Sequence, residues 1–156
     1  MTVRISTGAT ARLLGPEAFE TIFNGGCIEL RSGPQPADAD QPATGALLVR
    51  ITTNGLAWTA GAPAGGLGYE RDGRFALKPA DAAWRITGLA SGTVGWCRIV
   101  TAEQDDGNFS ITAARIDGAV AAHESANPAE FRIPSTTITV GQTVDVDGWW
   151  FTLPPM

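Results

Sequence analysis

Val49-Arg50-Ile51-Thr52-Thr53-Asn54-Gly55-Leu56-Ala57-Trp58-Thr59-Ala60 is the stretch on which the fold reading turns. Asn-Gly between two apolar runs is the preferred two-residue type I′ hairpin turn, because both central residues must take positive φ. Pairing Thr53 with Leu56 sets Ile51 opposite Trp58 and Val49 opposite Ala60. Val49, Ile51, Leu56 and Trp58 then share one face, and Arg50, Thr52, Ala57 and Thr59 the other. One dry and one wet side is the pattern of an antiparallel sheet packed on one face.

The same period of two recurs in both directions. Upstream, Ile28 and Leu30 alternate with Glu29 and Arg31, and Gly33-Pro34-Gln35-Pro36 ends that strand; Ala37 to Gly45 reads as a solvated loop. Downstream, Gly61 to Gly68 reads as a mobile linker, Arg71-Asp72-Gly73-Arg74 as a tight turn, and Phe75 with Leu77 as a strand ended by Pro79. Trp84 and Ile86 alternate with Arg85, and Val94, Trp96 and Arg98 alternate with Gly95, Cys97 and Ile99, which predicts a central hairpin across Gly88 to Gly92. Asp105-Asp106-Gly107-Asn108 and Asp117-Gly118 read as further turns, the second joining strands Phe109 to Ile116 and Ala119 to His123. After Asn127-Pro128 come Phe131 with Ile133, Ile138 with Val140, Val144 with Val146, and Trp149 with Phe151 and Leu153. The one helix expected is short: Pro16 starts it, Phe19, Ile22 and Phe23 share its face, and Asn24-Gly25-Gly26 stops it, with Leu13 and Leu14 in a preceding helical turn. About ten short strands at spacings of 8 to 12 residues predict a mainly β fold. The expected architecture is one antiparallel β-sandwich domain over residues 1–156, jelly-roll-like, with one short N-terminal helix and extended terminal arms.

Size and charge narrow the function classes. A chain of 156 residues has room for one core, and 44% hydrophobic against 17% charged residues predicts a compact domain. A net charge of -5 argues against non-specific nucleic-acid or anionic-membrane binding, which needs clustered Lys and Arg. The longest apolar run, Ala46 to Val49, is far short of the roughly 20 residues that span a bilayer. No apolar signal region follows Met1-Thr2-Val3-Arg4, so the protein is expected in the cytoplasm of the cell that makes it.

No catalytic, metal or cofactor site is expected. His123 is the single histidine, stands among polar residues, and has no nucleophile elbow to serve. Cys27 and Cys97 form no Cys-x-x-Cys pair and read as small buried side chains. Asp105, Asp106 and Asn108 lack the order of a calcium loop and fit turn chemistry. Asp145 and Asp147 point to the same side of one strand, whereas sugar hydrolysis needs two carboxylates flanking a bond. Trp58, Trp84, Trp96 and Trp149 share faces with aliphatic residues and read as core. Trp150 alternates with Trp149 and Phe151, so it points the other way, as a second-face core residue or an exposed anchor.

Several segments together resemble a family of small virion structural proteins of tailed bacteriophages. These are Ile5-Ser6-Thr7-Gly8, Leu13-Leu14, Phe19, Asn24-Gly25, Ile28-Glu29-Leu30 and, most specifically, Ser32-Gly33-Pro34-Gln35-Pro36-Ala37-Asp38-Ala39-Asp40. Thr44-Gly45-Ala46-Leu47-Leu48, Gly92-Thr93-Val94-Gly95-Trp96, Arg115-Ile116-Asp117-Gly118 and Ile138-Thr139-Val140-Gly141-Gln142-Thr143-Val144 continue the likeness. The resemblance implies a virion component with no catalytic role, most simply a head decoration (cement) protein on the capsid exterior. The partners implied are the major capsid protein or other virion proteins, with self-association as a homodimer or homotrimer. Alternatives are a tail or neck component, or a receptor-binding carbohydrate module at the tail tip in which Trp150 or Tyr69 stacks on sugar rings. The expected partner-interface residues are Thr2, Val3 and Ile5 in an N-terminal arm, Pro154 and Pro155 in a C-terminal arm, and the aromatics Tyr69 and Trp150.

Overall fold

The computed structural model describes residues 3–61, 64–126 and 129–152. These residues are mainly β, with two sheets around one core and two short helices. In chain order the strands are β1 (Arg4–Ile5), β2 (Cys27–Ser32), β3 (Leu47–Thr53), β4 (Glu70–Asp72), β5 (Phe75–Leu77), β6 (Trp84–Gly88), β7 (Gly92–Val100), β8 (Arg115–Ala122), β9 (Phe131–Ile133), β10 (Thr137–Ile138), β11 (Thr143–Val146) and β12 (Trp150–Thr152). The larger sheet runs β1-β8-β7-β2-β3-β6-β11, with β10 on β7 and β9 on β8; the smaller runs β12-β5-β4. Every pairing is antiparallel except β8 with β9.

The Asn54-Gly55 turn forms, with φ of 56° and 69° and Leu56 N–H donating to Thr53 O at 3.1 Å. Its second arm does not. Both edges of β3 are occupied, by β2 (Ile28 opposite Ile51) and β6 (Ile51 opposite Ile86), so residues 56–60 leave the sheet. Val49 and Ile51 are buried as expected, whereas Leu56 is exposed and Trp58 half-buried.

The expected hairpin of Trp84–Gly88 with Gly92–Val100 is also corrected, because β3 and β2 lie between those strands. The three-residue link Leu89–Ser91 wraps over the start of β3, Leu89 N–H donating to Leu48 O at 2.8 Å. A sheet that brings β6 and β7 within so short a link must curl strongly. The segment 137–146 closes over the same end, β10 pairing with β7 and β11 with β6.

Asp117-Gly118 is no turn. β8 runs straight through it, and Phe109 and Ile111, expected in a preceding strand, are exposed outside the sheet. Gly118 is there for space: a Cβ would stand 2.3 Å from the Phe131 ring on neighbouring β9.

The helical region is longer than expected. α1 (Thr7–Leu14) precedes α2 (Phe19–Phe23), and Pro16 lies between them. Ser6 makes α1 possible: its Oγ accepts from Ala9 N–H at 3.1 Å as an N-cap while donating to Ala113 O at 2.8 Å. Asp40 adds a carboxylate at the same helix end, accepting from Thr7 N and Oγ1 at 2.8 and 2.6 Å.

The core lies between the inner face of the large sheet, the helices and the small sheet. Ile28, Leu30, Val49, Ile51, Ile86, Cys97, Ile99 and Ile116 form one wall. Against it sits an aromatic cluster of Phe19, Phe23, Tyr69, Trp84, Phe131, Trp149 and Phe151, with neighbouring centroids 4.8 to 6.4 Å apart. Such pairs add about 0.5–1.5 kcal/mol each beyond area burial.

Candidate functional site

The outer face of the large sheet carries one row of charges across five strands. In register these are Arg4 on β1, Asp117 on β8, Arg98 on β7, Glu29 on β2 and Arg50 on β3, so the sign alternates at every step. Glu29, Arg50 and Arg98 each stand between two core residues of their own strand, because a period of two that buries the neighbours turns the intervening position outward. Loops cover the middle of the row: Arg98 and Asp117 are 1% and 0% exposed. Arg98 Nε and Nη2 donate to the two Asp117 oxygens at 2.7 and 2.8 Å, and Nη2 also reaches Gln41 O at 3.2 Å. Burial pushes the Asp117 carboxyl above its ordinary value, against the opposing pull of Arg98.

A second buried arginine fastens the same loops. Arg115 donates to Asp105 at 2.7 and 2.5 Å, to Asn108 O at 2.8 Å, and to the carbonyls of Ala39, Asp40 and Gln41 at 3.4 to 3.5 Å. For Asp105, burial pushes the carboxyl up, but the Arg115 hydrogen bonds, the Gly107 N–H and the guanidinium charge outweigh it, so the net shift is downward. Residues 37–45, expected as a solvated loop, are therefore held to the sheet, with Ala39 fully buried. The two clamps thus tie the covering loops to β7 and β8.

Beside the row opens a cleft of about 170 Å³ lined by Glu29, Arg31, Arg50, Trp58, Arg98 and Asp106, among others. A larger depression, about 510 Å³, lies between β9 and β12. Its walls include His123, Arg132 and Trp150, with the buried rings of Phe131 and Trp149 beneath. Trp150 is 62% exposed, as its alternation with buried Trp149 and Phe151 requires.

The expected interface residues separate. Trp150 is available. Tyr69 is not: it is 5% exposed, sandwiched among Phe19, Trp84 and Trp149, and has no free face for a sugar or a partner. Val3 and Ile5 pack against this chain's own core, and Arg4–Ile5 pairs with β8, so that part of the N-terminal arm is spoken for. Thr2, Pro154 and Pro155 lie outside the described residues. Trp84, Trp96 and Trp149 are buried as expected, whereas Trp58 is half-buried on the polar side, its Nε1 donating to Gly25 O at 2.9 Å and Arg50 5.6 Å from its ring.

The candidate catalytic groups do not converge. His123 is exposed at the end of β8, and Asp145 pairs with Arg85 at 2.7 Å on the sheet edge. Cys27 and Cys97 are free and buried; burial pushes the Cys27 thiol up to about 12 and raises Cys97 further from reactivity. Among the described residues no group of three His, Cys, Asp or Glu side chains is placed to hold a metal ion.

Comparison with known proteins finds no matching family model, no matching curated protein and no matching solved structure. The virion reading therefore rests on the quoted segments alone. The charge row went unread in the sequence, although its signal is there: Ile28-Glu29-Leu30, Val49-Arg50-Ile51, Cys97-Arg98-Ile99 and Ile116-Asp117-Gly118 each carry one charge inside a strand core.

Proposed function

We propose that the chain is a structural protein of a tailed-bacteriophage particle, acting as a head decoration (cement) protein on the capsid exterior. The virion assignment rests on the resemblance carried by Ser32–Asp40 and its companion segments. The observation that carries the docking role is Trp150, 62% exposed on a sheet edge at the mouth of the depression between β9 and β12. A large exposed ring beside a recess is the kind of anchor on which protein interfaces concentrate their energy. Among the described residues β12 pairs with β5 alone, so its other side has backbone groups that a partner's extended segment can pair with. The partners are the major capsid protein or other virion proteins, with homodimers or homotrimers at local symmetry axes. A net charge of -5 with Lys78 as the lone lysine favours the exterior over the DNA-filled lumen.

Quantitative gels of purified virions test the reading, with copies expected in proportion to capsid subunits and heads lacking the protein expected to rupture at lower temperature. Trp150→Ala should weaken attachment by about tenfold or more while leaving the melting temperature unchanged. A handful of copies per virion would move the protein to the tail or neck. Saturable binding on a glycan array, lost in Trp150→Ala, would instead favour the receptor-binding module at the tail tip; of its two stacking candidates, only Trp150 is exposed.

A further inference from the structure

The cleft beside the charge row has the composition of a binding site that the docking role does not use. Three guanidinium groups line it, and Arg31 Nε, Arg50 Nε and Arg98 Nη1 are each buried without a hydrogen-bond partner among the described residues. Arg98 is 1% exposed and its other nitrogens are committed to Asp117 and Gln41, so Nη1 is a fixed donor. A buried donor left unpaired costs about 1–3 kcal/mol, which favours any ligand that brings an acceptor oxygen. Glu29 stands among these donors, its Oε2 3.3 Å from Arg31 Nη2 and 3.8 Å from Arg50 Nε; Glu103 and Asp106 also line the cleft and are exposed.

That mixture decides the ligand class. Arg98 is neutralised by Asp117, Asp105 by Arg115, and Glu103 pairs with Arg12 at 3.3 Å, so Arg31 and Arg50 face Glu29 and Asp106. An anion meets carboxylates both inside the cleft and beside it, and a cation meets the unpaired guanidinium donors. A neutral hydroxyl suits both, since its oxygen accepts from a guanidinium while its hydrogen donates to a carboxylate. The rest of the wall is apolar, formed by Ala43, Trp58, Ala60 and Val100, and Trp58 is fixed by its bond to Gly25 O. The volume, about 170 Å³, is well below the 300–1,000 Å³ of sites for drug-sized ligands, so it holds a single small ring.

We propose that this cleft binds one neutral sugar ring, either free or as one unit of a longer glycan. Its hydroxyl oxygens accept from Arg31, Arg50 and Arg98, its hydroxyl hydrogens donate to Glu29 and Asp106, and its C–H face lies against Trp58. The site is separate from the Trp150 depression and independent of where in a particle the protein sits.

The test is amide NMR of the full chain titrated with D-glucose, D-galactose, D-mannose and N-acetyl-D-glucosamine, with sodium acetate and phosphate as further arms. At least one neutral sugar should give saturable shifts centred on Glu29, Arg31, Arg50 and the Trp58 indole. Arg31→Met and Asp106→Asn should each weaken that binding by about tenfold, the loss expected of one charge-assisted hydrogen bond. Asp106 is exposed, so its variant keeps the fold, and an unchanged melting temperature verifies this. The proposal is overturned if no sugar saturates, if acetate or phosphate saturates at these residues instead, if the shifts centre on Trp150, or if both variants bind like the parent.

Discussion

Removing the carboxylate of Asp117 tests whether the buried charge row holds the molecule together. Asp117→Ala leaves the Arg98 guanidinium 1% exposed, with Gln41 O as its one remaining hydrogen-bond partner among the described residues. Breaking a buried pair from one side costs about 3–5 kcal/mol, because the surviving charge stays desolvated. Against a total stability of about 5–15 kcal/mol this is a large fraction, and at about 2–4 °C per kcal/mol it lowers the melting temperature by about 6–20 °C. Arg85–Asp145 is the internal control: its separation is equally short, 2.7 Å, but its side chains are 40% and 66% exposed. Asp145→Ala should therefore cost at most about 1 kcal/mol. Since burial outweighs Arg98 in setting the Asp117 carboxyl, the attraction does not fully recover that carboxylate's desolvation. Arg98→Met combined with Asp117→Leu should then regain most of the loss. Urea unfolding at constant slope is the assay. A single variant within about 1 kcal/mol of the parent, or a double variant no better than the single, would refute the reasoning.

The second clamp gives a pH signature. Because the Asp105 carboxyl is lowered in the folded protein, its stabilisation is present above the unfolded value of about 3.9 and is lost as pH falls through the folded one. The difference in melting temperature between the parent and Asp105→Asn should be steady near neutrality and close below about pH 4; a difference that persists there would contradict the assignment. Asp117 shifts in the opposite direction, so the difference between the two proteins is the readout, not either curve alone. At Gly8, alanine is the better helix former by about 1 kcal/mol, yet a Cβ would stand 2.3 Å from Thr112 O and 2.6 Å from Ala113 O. Gly8→Ala should therefore destabilise by about 1–3 kcal/mol in thermal melts, whereas Gly148→Ala, with nothing within 4 Å, should be near neutral.

The central strands of the large sheet were legible in the sequence and their neighbours were not. Alternation located Cys27–Ser32, Leu47–Thr53, Trp84–Gly88 and Gly92–Val100 because it records which side of each strand is dry. Pairing depends on what the rest of the sheet does. Asn54-Gly55 turns as its chemistry dictates, but β2 and β6 already hold both edges of β3, so no second arm can pair there. Asp117-Gly118 misleads for a related reason. In isolation the dipeptide favours a turn; in β8 the aspartate answers Arg98 and the glycine admits the Phe131 ring. α1 was obscured because Thr7, Gly8 and Thr10 are weak helix formers, and its support comes from Ser6, Asp40 and Ala113, two of them remote in sequence.

The two faces of the large sheet divide the molecule's work, and that division explains why one was easier to read. The inner face needs only apolar side chains of suitable size at alternate positions, a requirement each strand meets locally. The outer face needs opposite charges at the same register on different strands, and register is a property of the assembled sheet. Glu29 looks like an ordinary wet-face residue until Arg98 and Arg50 are placed on either side of it. The same dependence gives the clamps their consequence: Arg98 and Arg115 fasten both the 37–45 segment and the 105–108 turn to strands that the core already fixes. The cleft beside the row is lined in part by these clamped segments, through Ala43, Asp106 and Gly107, and a surface so fixed loses little conformational entropy when a ligand arrives.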